Sequence, residues 1–236
     1  MTTTTTWGEI QGQTITFPME VTRFDTATFL FTVPLDAAQA LVPGDAFEVV
    51  AIGPDVAQLV IAFCDYIENP WGDYLELNFG FLARPVGAAD DVIGSFVYRM
   101  PVDQAFTCEA GNKVMGFPKT VEQMARHDAD GRCTVTLHED GAPSVVLRFP
   151  TPAGAGDPPA IESLSYSYLD GVAYETPLTM DMGTGMIDPA DVEISLGDGP
   201  IAVGLRSLGL PAVPDLATWG TDLSATFQLG RPVDPA

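Results

Sequence analysis

Along most of the chain, β-branched and aromatic residues alternate with polar ones in short runs set between clusters of Gly, Pro and Asp. Examples are 13-QTITFPMEVTR-23, 26-TATFLFTV-33, 56-VAQLVIAFCDY-66, 73-DYLELNFGFLA-83 and 92-VIGSFVYRM-100. A period of two in these residue types predicts strands, because successive side chains on a pleated strand point to opposite faces. The runs 132-RCTVTLHE-139 and 144-SVVLRFP-150 flank the turn 140-DGAP-143 and predict a meander, and 223-LSATFQLG-230 predicts a last strand. Helical periodicity is confined to short pieces, the best being 35-LDAAQALV-42, with Asp36 as its cap and Pro43 as its stop. The segment 121-VEQMARHD-128 fits one or two helical turns and fits a strand equally well, since its neighbours are β-rich and 128-DADG-131 reads as a turn. The expected class is α+β, mainly β, with a few short helices decorating the sheet.

A chain of 236 residues fits one core, and all-β chains of this length are often single domains. The Gly- and Pro-rich piece 150-PTPAGAGDPPA-160 is read as a long surface loop rather than a linker, because the chain after it shows few strong elements. The expectation is therefore one domain over residues 1–236, with residues 1–8 as a flexible terminus.

Charge narrows the partners. Thirty-two Asp and Glu against ten Lys and Arg give a net charge of −22, which leaves no basic face for a nucleic acid. No run of about 18 apolar residues occurs, and the start MTTTTTW lacks the charged-then-apolar pattern of a secretory signal, so a cytoplasmic protein without a membrane span is expected. Cys64, Cys108 and Cys133 are odd in number, widely spaced and without a CxxC, and read as small buried apolar residues. His127 and His138 are the only histidines, and 138-HED-140 lacks the partners a metal needs. The string 180-MDMGTGM-186 has no following helix or P-loop lysine, so it does not read as a phosphate loop. Trp71 and Trp219 read as core. No cofactor is expected.

The stretch 111-GNKVMGFPKT-120 holds Lys113 and Lys119, the only two lysines in the chain. A base-composition bias or salt adaptation explains the scarcity of lysine but not this placement. Gly116 and Pro118 stiffen the approach to Lys119, and apolar Val114, Met115 and Phe117 flank it, which suits a fixed and poorly hydrated amine. Desolvation disfavours the charged form of a lysine and leaves a nucleophilic amine that attacks ketones and aldehydes. The plainer alternative is a surface lysine whose stem is buried and whose head is wet.

The run 109-EAGNKVMGFPK-119 resembles the signature of the acetoacetate decarboxylase-like superfamily, in which a Gly-aromatic-Pro-Lys element presents a Schiff-base lysine. The upstream 74-YLE-76 resembles the family's Tyr-x-Glu element, and the segment from Arg23 through 33-VPLDAAQALVP-43 resembles its N-terminal strand and short helix. The resemblance spans residues from about 20 to 125. It implies a cone-like antiparallel β barrel or double sheet around a small pocket, Lys119 as the imine-forming amine and Glu76 as a pocket carboxylate that moves a proton or orients substrate. It also implies a homo-oligomer. Tyr74, Met115 and Phe117 are the expected substrate-binding neighbours. Arg23 stands near the place of an early family arginine, and Arg84 and Arg99 are close enough in sequence to the two motifs to grip a substrate carboxylate. A plainer role for each arginine is pairing with the abundant surface acid.

Departures from the pattern matter equally. In the decarboxylases a second lysine follows the imine lysine and helps to depress its pKa, whereas Thr120 stands there in this chain. The family's Arg-Glu pair falls on Asn112 and Lys113, and a further glutamate falls near Gln58 or Leu59. Six residues of straight strand span about 20 Å, so only a sharp bend at Gly116 would let Lys113 supply the lost charge. The expected function is a lyase acting through a Lys119 imine on a small to medium oxo acid or other carbonyl compound. Aldol, dehydration or cyclisation chemistry in biosynthesis is expected ahead of acetoacetate decarboxylation. The alternative is a relative without imine chemistry, whose pocket binds a hydrophobic small molecule or promotes its reaction by shape and acid/base groups.

Overall fold

A computed structural model describes residues 4–233. A hairpin of β1 (Thr5–Ile10) and β2 (Gln13–Phe17) leads into the long β3 (Met19–Pro34), the helix α1 (Leu35–Leu41) and two short strands, β4 (Phe47–Val49) and β5 (Ala51–Gly53). β6 (Val56–Glu68), β7 (Tyr74–Pro85) and β8 (Gly94–Val102) follow, then α2 (Ala105–Ala110), which runs on as a π-helical turn over Gly111–Met115, and the short β9 (Lys119–Val121). Next come β10 (Gln123–Ala129), β11 (Arg132–Glu139) and β12 (Ala142–Pro150). The last third supplies β13 (Ala160–Leu169), β14 (Val172–Asp181), β15 (Gly185–Ile187), β16 (Glu193–Leu196), α3 (Pro200–Ser207), β17 (Leu216–Phe227) and β18 (Arg231–Pro232). The protein is mainly β, with short helices at its edges.

Seven strands close a barrel in the order β17-β3-β6-β7-β8-β13-β14, and β14 pairs back onto β17. Closure removes the unpaired edges that an open sheet of this length would expose. The β8–β13 seam is the parallel one within the ring, with Ser165 opposite Ser95 and Tyr166 opposite Phe96. The parallel pairing follows from topology: between β8 and β13 the chain leaves the ring to build α2 and most of a second sheet, of order β10-β11-β12-β16.

The barrel wall is apolar on both faces but differs in size between them. On β3, β6 and β7 the odd-numbered Phe29, Phe31, Leu59, Ile61, Phe63, Phe79 and Phe81 face outward and are at most 1% exposed. They pack against Cys133, Val135, Leu137, Leu147 and Phe149 of the second sheet in one core, with Phe29 and Phe149 edge to face at 5.2 Å. Each fully buried Phe of this kind stabilises by about 1.5–3 kcal/mol. Arg126 on β10 pins the second sheet to the barrel, donating from Nη1 to Asp25 at 2.8 Å and to Asp65 at 2.7 Å. The even-numbered residues of the same strands line the barrel interior, where the smaller or polar Thr28, Val60, Ala62, Cys64, Glu76 and Asn78 stand among Leu30, Tyr66, Tyr74 and Leu82 and leave it hollow.

Several local expectations change. α1 begins at Leu35 with Pro34 at its N-cap, so Asp36 lies inside the first turn, where its Oδ1 accepts from the Ala37 N–H. Residues 123–129 form β10, because they pair along their length with β11. The piece around 151–159 is a loop, but the chain beyond it is not weak, since β13 and β14 supply two barrel strands. The last long strand begins at Leu216 rather than near Leu223, as Gly220 and the turn residues around Asp222 make a bulge that hides its continuity. Residues 5–10 are paired as β1, and residues 1–3 of the expected flexible terminus lie outside the described residues. Among the described residues, no helix is long and apolar enough to cross a membrane.

Candidate active site

The stretch from Ala105 to Met115 follows β8 as α2 and its π-helical continuation, started by Gln104, whose side chain accepts from the Thr107 N–H. The helix stops at Gly116, which adopts φ +65. A side chain there would be strained by this left-handed backbone and would meet the Tyr168 carbonyl oxygen at 2.5 Å, so only glycine makes this turn. Phe117 and Pro118 then carry the chain into β9, which pairs parallel to β8 with Lys119 opposite Met100. Asn112 fixes the turn from both sides: its Oδ1 accepts from the Lys119 N–H at 2.8 Å, and its Nδ2 donates to the Lys119 carbonyl at 3.1 Å.

β8 brings the two key side chains together. Glu76 on β7 lies opposite Val102 on one edge of β8, and Lys119 lies opposite Met100 on the other. Both side chains turn inward and meet: Lys119 Nζ donates to Glu76 Oε2 at 2.7 Å, with the side chains only 4% and 5% exposed. Nζ also lies 3.4 Å from the Thr107 hydroxyl and 5.1 Å from the centre of the Tyr74 ring. Tyr74 stacks on Tyr66 at 4.5 Å. Burial, and after it the negative charge of Glu76, raises the pKa of both phenols well above the usual value, so both stay protonated donors.

These groups form one end of a cavity of about 280 Å³ inside the barrel. Lys119, Glu76, Tyr74, Met115 and Phe117, all expected site residues, line it together. The three arginines do not. Arg23 lies near the start of β3 and pairs with Glu68 at 3.3 Å, and Arg84 binds Glu48 and Asp90 outside the cavity lining. Arg99 has the wrong parity on β8: Met100 points inward, so Arg99 points outward and lies over the Tyr98 ring at 4.4 Å. Lys113 is exposed and pairs with Glu109 on its own helical face, and the side chain of Thr120 is exposed. His127 and His138 sit at opposite ends of the β10–β11 ladder, facing Thr134 and Gln123. The sequence did not single out Thr107, Tyr66 or Asn78, and it marked Asn112 only as standing in the place of a family residue and Cys64 only as a small buried one; the site also uses Cys64 and Asn78. Only the even spacing of the last two from Tyr66 and Glu76 hinted at a shared face.

Gly111 gives the lysine its path. A Cβ there would come 2.7 Å from Lys119 Cδ and Cε, while the Gly111 backbone itself is helical, with φ −60 and ψ −41. Gly111→Ala is therefore expected to leave thermal stability close to wild type, because a helical alanine gains about 0.5–1 kcal/mol over glycine and offsets the crowding. The displaced amine is expected to lower the rate of any reaction at Nζ by about 10²-fold. Thermal melts beside rate measurements check both halves.

Burial, and after it the charge of Glu76, pushes the Cys64 thiol from its usual 9.0 up to about 12. The unfolded chain releases that proton near pH 9 and the folded chain does not, so the unfolded state binds fewer protons above pH 9. Stability from this group is complete below pH 9 and falls as pH rises, by about 1.4 kcal/mol per unit. Urea unfolding at pH 8 and pH 10 should show the fall, and Cys64→Ala should make it shallower.

Comparison with known proteins gives the family and the fold. The model of the family described as acetoacetate decarboxylase matches residues 3–182. No curated protein matches the chain. Among solved structures, the acetoacetate decarboxylase of Legionella pneumophila subsp. pneumophila str. Philadelphia 1 is similar, with a TM-score of 0.66 at 15% identity over 92% of this chain and 87% of that one. A second acetoacetate decarboxylase structure gives 0.65 at 13% identity over 92% and 89%. The enduracididine biosynthesis enzyme MppR complexed with pyruvate gives 0.57 at 15% identity over 92% and 91%. At these identities the structures establish a shared fold, and with the family match covering most of its length, the chain belongs to the acetoacetate decarboxylase family.

Proposed function

We propose that the protein is an enzyme that forms a Schiff base between Lys119 and an oxo acid or other carbonyl compound. It uses the imine for decarboxylation or, in preference, for aldol, dehydration or cyclisation chemistry in biosynthesis. The observation that carries this proposal is the buried Lys119–Glu76 pair at 2.7 Å on the wall of the cavity. An ammonium has no lone pair with which to attack. One proton passed along this hydrogen bond to Glu76 gives a neutral amine and a neutral acid, and removes two charges that are costly to hold in an apolar site. The amine lone pair then attacks the carbonyl carbon, and the C=O π electrons move to oxygen, which takes a proton from the attacking nitrogen. Glu76 returns its proton to the departing hydroxyl, so water leaves and the nitrogen keeps the positive charge of the iminium. That cation accepts the electrons freed when a neighbouring C–C or C–H bond breaks. In this scheme Glu76 does by proton transfer what a second lysine does by charge, and the missing cation at Thr120 is not needed. The pyruvate complex of the enduracididine enzyme adds an α-keto acid to the carbonyl ligands met on this fold.

The same ion pair favours a second reading, in which the amine stays bound to Glu76 and the cavity works by shape alone. Oxygen exchange separates the two. An imine that forms and hydrolyses replaces the carbonyl oxygen by solvent oxygen, so a methyl ketone incubated in ¹⁸O-water should gain label faster with wild-type protein than with Lys119→Gln. Equal rates would leave the shape-only reading standing.

A further inference from the structure

The interior of the barrel specifies its ligand more closely than the lysine does. Among the described residues that line the cavity, Lys119 and Glu76 are the only charged ones, and they are paired with each other. The walls beyond them are mainly Leu30, Val60, Ala62, Leu82, Met100 and Leu178, with the neutral hydroxyls of Thr28, Ser95, Ser163 and Ser165 among them. All three arginines expected to grip a carboxylate lie outside. A substrate carboxylate placed here would lose its hydration and find no free cation, because the iminium charge is already balanced by Glu76.

Asn78 is the one side-chain amide among the described residues of this lining. It is two residues beyond Glu76 on β7, hence on the same face and about 7 Å further along the strand. Its Oδ1 is buried and has no hydrogen-bond partner among the described residues. A buried acceptor without a donor, on a residue that lines the cavity, is a cost that a ligand hydroxyl or N–H reaching it would remove. The cavity volume of about 280 Å³ equals that of roughly nine water molecules, at ~30 Å³ each, and so takes a medium-sized chain rather than a three-carbon acid.

Resting on the Lys119 imine as the reactive end, we propose that the substrate is an uncharged ketone or aldehyde with an apolar chain and a hydrogen-bond donor about five or six bonds from the carbonyl carbon, and that Asn78 is the specificity residue that accepts from that donor. The site discriminates against oxo acids of the same length.

Calorimetric titration of the wild-type protein with 7-hydroxy-2-heptanone, 2-octanone and 7-oxooctanoate tests this, with borohydride reduction run separately. The expected order is hydroxy ketone, then plain ketone, then keto acid, with the acid at least tenfold weaker than the hydroxy ketone. Asn78→Leu should erase the advantage of the hydroxyl and keep the binding of 2-octanone, and Asn78→Ala serves where the leucine variant does not fold. Binding of the keto acid as tight as that of the ketones overturns the neutral-substrate proposal, and a hydroxyl preference that survives both Asn78 variants overturns the role of Asn78. Calorimetry does not require the imine. The expected order without a Lys119 adduct would sink the Schiff base and uphold the substrate class, whereas an adduct with the order reversed would do the opposite.

Discussion

Replacing Lys119 by glutamine is expected to abolish adduct formation with carbonyl ligands and to lower turnover by about 10³-fold or more, because no second amine among the described residues lines the cavity. The substitution also leaves Glu76 as a buried carboxylate without its cation, at a cost of about 3–5 kcal/mol in stability. The two effects separate in the double variant Lys119→Gln with Glu76→Gln, in which two neutral amides can hydrogen-bond where the ion pair was. Denaturant unfolding should show most of the lost stability restored, while turnover stays lost. If the double variant regained turnover, the nucleophile would have to be something other than Lys119.

Glu76→Gln carries the second large effect. It keeps the shape and an acceptor beside Nζ but removes the group that takes and returns the proton. A general acid–base group of this kind is worth about 10²–10⁴-fold in rate. Adducts should still map to Lys119, but they should form more slowly by that order. Stability should fall by about 3–5 kcal/mol, since a buried ammonium is left alone. Normal rates of adduct formation in Glu76→Gln would reduce Glu76 to a structural partner of the lysine.

The strands were legible because β-branched and aromatic residues alternate with polar ones, and the two motifs at Glu76 and Lys119 were legible as a family resemblance. The faces of the strands were not. Phe29, Phe63 and Phe79 point out and Thr28, Ala62 and Asn78 point in, yet the first set is buried and the second buried or half-buried, so hydropathy alone could not say which side held the cavity. The same ambiguity misplaced Arg99, which is one residue from the inward-facing Met100 and therefore on the opposite face. Nearness in sequence to a motif did not become nearness in space for Arg23 and Arg84, which are held by Glu68 and by Glu48 and Asp90.

The helix before Lys119 was hidden for a different reason. The run from Ala105 to Met115 contains Thr, Cys, Asn, Val and a glycine, which are poor helix formers, and tertiary packing rather than propensity holds it. Its fully buried Thr107, Ala110 and Val114 supply that packing. The meeting of Glu76 and Lys119, 43 positions apart, depends on β8 standing between β7 and β9, a pairing that no local pattern announces.

The most direct test of the imine is reduction in place. Wild-type protein incubated with a methyl ketone and sodium borohydride, then digested and mapped by mass spectrometry, should carry one added alkyl group on the peptide containing Lys119 and none on Lys113. The account is contradicted by a Lys119 peptide that remains unmodified under conditions where the ketone binds.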